Sequence, residues 1–197
     1  MQLKKIKSES DLLLESLGYD LWDEYLEMYE KAEFENGSLI LDLGSGSGRG
    51  LGVMVQLGHP VVTVDYDANQ IEKARKRLEG FEGCNVVFLQ YDFYNLMVPD
   101  KSIMNIVCGN VLHECDEPLR LIEEIKRILG KGGKLLLFDF NDRGFEVMEK
   151  LHNEVYGDKH NTGSLRISEA ERYFNGGDFE IMKINTILND ALIIKRL

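Results

Sequence analysis

Short apolar runs alternate with helical patterns along most of the chain. Five runs have the length and the β-branched or bulky content of buried strands. They are residues 38–43, 61–64, 86–89, 103–108 and 134–140. Strands that alternate with helices predict a mostly parallel sheet with both faces covered. The pattern therefore predicts a doubly wound α/β domain.

Residues typical of helix ends support this reading of the segments between the runs. Asp67 with Gln70 resembles a capping box, and the helix that it opens should end at Gly80. Pro118 suits the first turn of another helix, which should end at Gly130. The residues between them form an apolar stripe at helical spacing, namely Leu119, Ile122, Ile125, Ile128 and Leu129.

The two ends of the chain differ from this alternating pattern. Residues 12–34 form one long helical pattern before the first strand. Near the other end, residues 179–188 and 191–196 are strand-like and too close together for a helix, so they predict an antiparallel hairpin with its turn at Asn189 and Asp190. We interpret residues 1–37 as a helical cap and 141–177 as a lid on a single domain, 1–197.

Composition narrows the class of protein. The chain has 197 residues, of which 44% are hydrophobic, and a net charge of −11. Such an acidic chain is disfavoured on nucleic acid, where binding is mostly electrostatic, and on anionic membranes. No run approaches the roughly 20 apolar residues of a membrane span. Three cysteines without a Cys-x-x-Cys pair predict no metal site and favour a reducing, cytoplasmic setting.

The most distinctive segment is a glycine-rich turn after the first predicted strand. Three glycines alternate with serines after an acidic residue, in the order Asp42, Leu43, Gly44, Ser45, Gly46, Ser47 and Gly48. A tight turn without a ligand is one interpretation; a close approach of a ligand to the backbone is the other. The dinucleotide spacing Gly-x-Gly-x-x-Gly fails, because its third position falls on Arg49, Leu51 or Val53. A phosphate-binding Gly-Lys-Ser/Thr is also absent from the segment.

The segment resembles the first motif of the class I S-adenosylmethionine-dependent methyltransferases, acidic-x-Gly-x-Gly-x-Gly. The resemblance implies that Asp42, Gly44, Ser45, Gly46 and Gly48 hold the methionine part of that cofactor. It also implies a Rossmann-like seven-stranded sheet in the order 3-2-1-4-5-7-6, with the seventh strand antiparallel. Carboxylates suit a ligand that carries a sulfonium and an ammonium group.

The resemblance continues at the ends of the next predicted strands. Asp65 ends the second strand, where the family places the acid that binds the ribose hydroxyls, and Tyr66 follows as a packing partner for adenine. Asp92 and Phe93 follow the third strand, where the family contacts the adenine amino group. Asn110, after the fourth strand, completes the predicted cofactor-binding set.

Candidate catalytic residues follow the fourth strand. His113 and Glu114 lie on the predicted ligand-binding edge, and either could take a proton from an acceptor. Asp116 is an equally plausible base, and a structural role is the alternative for each of them. His152 and His160 would reach substrate only if the lid covers the pocket.

The resemblance implies methyl transfer to a small molecule. The residues from Cys108 to Val111 lack the Asn/Asp-Pro-Pro-aromatic motif of enzymes that methylate DNA adenine or protein glutamine. Two alternatives stay open, a non-catalytic cofactor-binding partner subunit and a protein methyltransferase. The short chain leaves room for only a small cap, so a second copy in a homodimer could complete the pocket.

Overall fold

The computed structural model describes residues 5–81, 83–155, 157 and 160–197. Its seven strands are β1 (Ile40–Leu43), β2 (Val61–Asp65), β3 (Val86–Gln90), β4 (Ile103–Gly109), β5 (Leu129–Phe140), β6 (Phe179–Asn185) and β7 (Asn189–Arg196). Its helices are α1 (Glu9–Ser16), α2 (Leu21–Ala32), α3 (Arg49–Gln56), α4 (Ala68–Leu78), α5 (Pro118–Ile128), α6 (Asp142–Val155) and α7 (Ile167–Ala170). Single 3₁₀ turns span Leu112–Glu114 and Glu171–Phe174.

The strands form one sheet in the order β3-β2-β1-β4-β5-β7-β6. The first five strands pair in parallel, whereas β7 is antiparallel to both β5 and β6. The predicted strand order is therefore confirmed. The order reverses between β1 and β4, so the carboxyl ends of these two strands border the crevice where α/β sheets bind ligands.

Different helices cover the two faces of the sheet. One face packs against α2, α3, α4 and α6, and the other packs against α5 and α7. Ile122, Ile125 and Ile128 of the predicted stripe are buried, whereas Leu119 is 44% exposed. Helix α5 ends at Ile128 rather than at Gly130, because Leu129 and Gly130 already belong to β5, and Pro118 occupies its first turn as predicted. The connection from β3 to β4, residues 91–102, contains no helix. Among the described residues, the face that packs against α5 and α7 therefore has no helix over β1, β2 and β3 and is partly open there.

The prediction of one helix over residues 12–34 is wrong. The segment forms α1 and α2, which are separated by residues 17–20. Gly18 has a φ of 87°, and the Asp20 carboxylate caps α2 by accepting from the backbone amides of Trp22 and Asp23. A left-handed glycine followed by an N-cap ends one helix and starts the next, and the apolar pattern alone does not reveal this break.

The hairpin forms as predicted, but its turn lies earlier. Residues 186–188 make the turn, and Asn189 already belongs to β7. The cause is Glu24 of α2, which is buried and accepts hydrogen bonds from the Leu188 amide, the Thr186 hydroxyl and the Asn189 side chain. A contact from a distant helix therefore sets the position of this turn.

Asp67 caps α4 as predicted. Its side chain accepts a hydrogen bond from the Asn69 amide, and the full capping box with Gln70 does not form.

Candidate functional site

The glycine loop joins β1 to α3 at the point where the strand order reverses. Gly44, Gly46 and Gly48 all have positive φ, at 88°, 46° and 79°. A Cβ on Gly44 would overlap Val111, and one on Gly48 would lie 2.8 Å from Ala74 Cα. A Cβ on Gly46 would meet nothing within 4 Å. Two of the glycines are therefore required by packing, while Gly46 borders open space on the side where a ligand can approach.

Asp65 ties the end of β2 to this loop. Its Oδ2 accepts from the Ser45 hydroxyl at 3.1 Å and from the Gly46 amide at 3.0 Å, and its Oδ1 accepts from the Asp67 amide at 3.0 Å. The carboxylate is almost fully buried. The structure brings Asp65, Ser45 and Gly46 together, as expected for one binding site. Asp65 therefore shapes the loop whether or not it also contacts a ligand.

Asp42 is a buried carboxyl with a single hydrogen-bond donor among the described residues, the Thr63 hydroxyl at 2.7 Å. The two residues are paired across β1 and β2, which places their side chains side by side. Burial is the main cause that raises the Asp42 pKa to about 7, and the negative charge of Asp65 adds to it. A cation bound nearby would favour the ionised form.

An aromatic pair borders the outer edge of the site. Tyr66 after β2 is 70% exposed, and its ring centroid lies 6.4 Å from that of the buried Phe93 after β3. Asp92 is exposed and its Oδ1 accepts from the Tyr94 amide at 2.8 Å. The ends of β2 and β3 thus place an apolar platform beside carboxylates, an arrangement that suits a purine base.

Asn110 links the site to helix α2. It adopts a left-handed backbone with a φ of 54°, and its side-chain amide donates to the Tyr25 hydroxyl at 2.6 Å. Asn110 Oδ1 is buried and has no partner among the described residues, so it can accept a hydrogen bond from a ligand. The α2 aromatics Trp22, Tyr25 and Tyr29 are buried and belong to the hydrophobic core.

His113 is held by a residue that sequence reasoning missed. Asp139, at the carboxyl end of β5, accepts from His113 Nδ1 at 2.6 Å and from the His113 amide at 3.0 Å. The exposed Glu114 has its Oε1 3.7 Å from His113 Nε2. Partial desolvation is the larger cause that raises the Glu114 pKa, and the charges of Asp139 and Asp65 contribute. In the sequence, the one feature that could have pointed to Asp139 is its position near the end of the fifth predicted strand.

Part of the predicted lid covers His113, which keeps only 1% of its surface accessible. A Cβ on Gly163 would overlap the His113 backbone, and the His160 ring centroid is 5.0 Å from that of His113. His152 packs on His160 with ring centroids 4.6 Å apart. Residues 156, 158 and 159 of the predicted lid lie outside the described residues, as do residues 1–4 of the predicted cap. Of the two candidate catalytic residues, Glu114 is the accessible one.

A second missed cluster connects α1 to the glycine loop. Asp11 accepts from Arg49 Nε at 2.6 Å and from Arg77 Nη1 at 2.7 Å. Arg77 Nε in turn donates to the Ser47 carbonyl at 2.8 Å. Burial opposes ionisation of Asp11, but the two arginines outweigh it and hold its pKa below the usual range. The N-terminal helix is thus fastened to the loop through one carboxylate and two guanidinium groups.

These observations test whether S-adenosylmethionine fits the site. The open side of Gly46, the free acceptor Asn110 Oδ1 and the buried Asp42 carboxyl suit a ligand with cationic and amino groups. The Asp65 carboxylate, which accepts from the Gly46 amide, would repel a pyrophosphate at the open side of Gly46. In the described part of the chain, no group of three His, Cys, Asp or Glu residues could hold a metal ion, and no helix is long and apolar enough to cross a membrane.

Comparisons with known proteins agree with a site for S-adenosylmethionine. A model of the family described as "Methyltransferase domain" matches residues 41–137. The chain is 30% identical over 121 residues to a demethylmenaquinone methyltransferase from Clavibacter sepedonicus, covering 58% of this chain and 49% of that protein. It is 33% identical over 134 residues to arsenite methyltransferase from Mus musculus, covering 60% and 35%. It is also 32% identical over 126 residues to a probable tRNA methyltransferase 9B from Bos taurus, covering 60% and 26%.

Solved structures agree on the fold. A S-adenosylmethionine-dependent methyltransferase from Aquifex aeolicus has 16% sequence identity to this chain, with a TM-score of 0.62 over 97% of this chain and 100% of that one. The chain spans about half or less of the length of the three curated relatives reported above. Its motifs and its sheet order are similar to those of the class I S-adenosylmethionine-dependent methyltransferases, and residues 41–137 match the methyltransferase domain family.

Proposed function

We propose that the protein transfers a methyl group from S-adenosylmethionine to a small molecule by in-line displacement. The observation that carries this proposal is the Asp65 carboxylate closing the glycine loop beside the open face of Gly46. The curated relatives that act on a quinone precursor or on arsenite support a small-molecule acceptor. The net charge of −11 opposes binding to a nucleic-acid backbone, although one relative bears the name of a tRNA methyltransferase.

Each predicted cofactor residue then has a role. Gly44 and Gly48 shape the loop, while Ser45 and Gly46 stand beside the methionine part and Asp42 supplies negative charge. Asp65 binds the ribose hydroxyls, and Tyr66 with Phe93 packs on adenine. Asp92 and the free Oδ1 of Asn110 accept hydrogen bonds from amino groups of the ligand.

An acceptor that bears a proton on its attacking atom loses that proton when the atom gains the methyl group. S-adenosylmethionine, when bound, supplies a methyl group activated by a sulfonium. Glu114 is exposed, has a raised pKa and takes the proton of the acceptor. His113 lies behind Glu114, and Asp139 fixes the imidazole so that Nε2 faces the Glu114 carboxylate. Asp116 has no such histidine behind it in the described structure, which favours Glu114 as the base.

Three further proposals concern the location, the domain organisation and the oligomeric state of the protein. The described cysteines Cys84, Cys108 and Cys115 are all free thiols, which supports a reducing, cytoplasmic location. The contacts of Asp11 with Arg49 and Arg77 support a helical cap, and the packing of His160 and Gly163 on His113 supports a lid on the same domain. We also propose a homodimer.

A labelled-methyl assay tests the proposed reaction. S-adenosylmethionine with a radiolabelled methyl group is incubated with the protein and fractions of a metabolite extract, and S-adenosylhomocysteine binding is measured by calorimetry. Label should move into a small-molecule fraction, and Glu114→Gln should reduce the transfer at least about tenfold while Asp116→Asn leaves it unchanged. Cofactor binding with no transfer would instead indicate a partner subunit, and labelled polypeptide would indicate a protein methyltransferase.

A further inference from the structure

An apolar cleft lies on the face of the sheet that lacks a helix, away from the glycine loop. It measures about 840 Å³ and its floor is formed by side chains of β1, β2, β3 and the start of β4. Leu39, Val62, Leu89 and Met104 line it, and three of these are among the most exposed large apolar side chains of the chain. Parallel sheets are normally covered on both faces. The cleft is therefore a surface that another molecule is expected to cover.

One side chain at the border of the cleft, that of Met97, projects into water. Met97 is 84% exposed, although the residues on either side of it are fixed. Glu124 accepts from the Leu96 amide at 2.6 Å, while Arg127 donates to the carbonyls of Leu96 at 2.8 Å and Val98 at 2.9 Å. Helix α5 thus fixes the backbone on both sides of Met97, and the Met97 side chain remains exposed to solvent. A fixed apolar projection next to an apolar cleft is complementary to its own two-fold copy.

Charge also favours a second copy over a partner of opposite charge. The chain as a whole carries −11, yet the described residues that line the cleft include only two acids and one base, namely Glu33, Glu35 and Lys134. A basic helix would gain little from such a rim, and a second copy would not be strongly repelled by it. An interface of this kind needs an apolar centre without excess charge.

We infer that this face is an isologous dimer interface, in which Met97 of each copy enters the cleft of the other. The inference names the surface for the proposed homodimer and does not depend on the methyl acceptor. The loop concerned also carries Asp92 and Phe93 at its start, so the interface would border the adenine side of the cofactor site.

Sedimentation velocity over a range of protein concentrations tests the interface. The wild-type chain should form dimers, and Met97→Glu should raise the dimer dissociation constant by at least about tenfold, because a charge would enter an apolar pocket. Met104→Glu in the cleft should act in the same direction. Met182→Glu is the matched control, because Met182 is 48% exposed on β6 at the far edge of the sheet, and it should leave the dimer unchanged.

Circular dichroism and thermal unfolding of each variant show whether a monomeric variant is still folded. A wild-type chain that stays monomeric at high concentration would overturn the inference and leave the cleft to another occupant. A dimer that survives both Met97→Glu and Met104→Glu would overturn it as well. S-adenosylhomocysteine binding by the wild-type chain is measured separately by calorimetry, so failure of the interface and failure of the proposed function are distinguishable.

Discussion

His113 Nδ1 lies 2.6 Å from Asp139 Oδ1 in the interior of the protein, where both side chains are almost fully buried. The same carboxylate accepts from the His113 and Phe140 backbone amides. Three donors therefore converge on one carboxylate from two strand ends. This arrangement fixes the ring orientation and directs the other imidazole nitrogen towards Glu114.

Asp139→Asn should destabilise the fold and disturb the His113 ring. The amide of asparagine offers one acceptor oxygen in place of two, so at least one of the three buried donors loses its partner. We expect the free energy of unfolding to fall by about 1–3 kcal/mol, the range for an unsatisfied buried polar group. Denaturant unfolding measures the loss, and ¹⁵N NMR of the imidazole nitrogens should show a changed tautomer balance.

The exposed Asp142, in the first turn of α6, provides the control for this prediction. Asp142→Asn should change neither the unfolding free energy by more than a few tenths of a kcal/mol nor the His113 NMR signals. An Asp139→Asn variant with unchanged imidazole signals would contradict a positioning role for Asp139.

Asp42 should make stability depend on pH. Its pKa is raised from the ordinary 3.8 to about 7, so the folded state holds a proton that the unfolded state has released between these values. Stability from this group is therefore greatest below pH 4 and falls as pH rises towards 7, by at most about 1.4 kcal/mol per pH unit. Asp42→Asn should remove this part of the slope in denaturant titrations at several pH values.

The same substitution separates stability from ligand binding. Asp42→Asn should stabilise the ligand-free protein at pH 8, because it removes a buried negative charge. It should also weaken S-adenosylmethionine binding by about 1–3 kcal/mol at that pH, because the cationic ligand loses a charge partner. Equal affinities of the two proteins would show that Asp42 acts on the loop alone.

Asp65→Ala should weaken cofactor binding. The carboxylate fixes Ser45 and Gly46 and is the proposed partner of the ribose hydroxyls, so we expect a loss of about 1–3 kcal/mol in S-adenosylhomocysteine affinity by calorimetry. Asp67→Ala serves as the comparison, because it removes the cap of α4 and costs about 1 kcal/mol of stability without touching the loop. Similar affinities in the two variants would exclude the ribose assignment.

Asp11→Asn should release α1 from the loop. Two buried arginines lose their carboxylate partner, so the unfolding free energy should fall by about 3 kcal/mol. Because the pKa of Asp11 is lowered in the folded state, the stability that it provides is present at neutral pH and is lost as pH falls below the unfolded value. The hydrogen-exchange rates of residues 9–16 should rise more than those of the sheet. An equal rise in α1 and in the sheet would contradict the idea that Asp11 attaches α1 to the glycine loop.

The strands and the glycine loop could be predicted because each depends on residues close together in the sequence. The alternation of apolar runs located all seven strands, and the loop carries its own turn chemistry. The contacts that sequence reasoning missed are long-range. Asp139 is 26 residues from His113, and Asp11 is 66 residues from Arg77. Single-sequence periodicity contains no information on such pairs, which the folded topology alone brings together.

The open cleft was missed for a related reason. An apolar strand pattern such as that of β2 or β3 predicts burial on both faces, and it does not show whether the chain supplies a helix for each face. The absence of a helix in residues 91–102 is visible in the sequence, but its consequence depends on which strands neighbour β3.

Gly44→Ala should mainly reduce stability, whereas Gly46→Ala should mainly reduce cofactor affinity. A methyl group at position 44 overlaps Val111, and the alanine would have to adopt the positive φ of 88° found there, so we expect a loss of stability above about 2 kcal/mol. At position 46 the methyl group meets open space, and only the positive φ of 46° costs stability, about 1 kcal/mol. Since that space is the proposed ligand position, Gly46→Ala should lower S-adenosylhomocysteine affinity at least about tenfold in a protein that still folds. Thermal unfolding and calorimetry together separate the two effects, and a Gly46→Ala protein with wild-type affinity would mean that the ligand lies elsewhere.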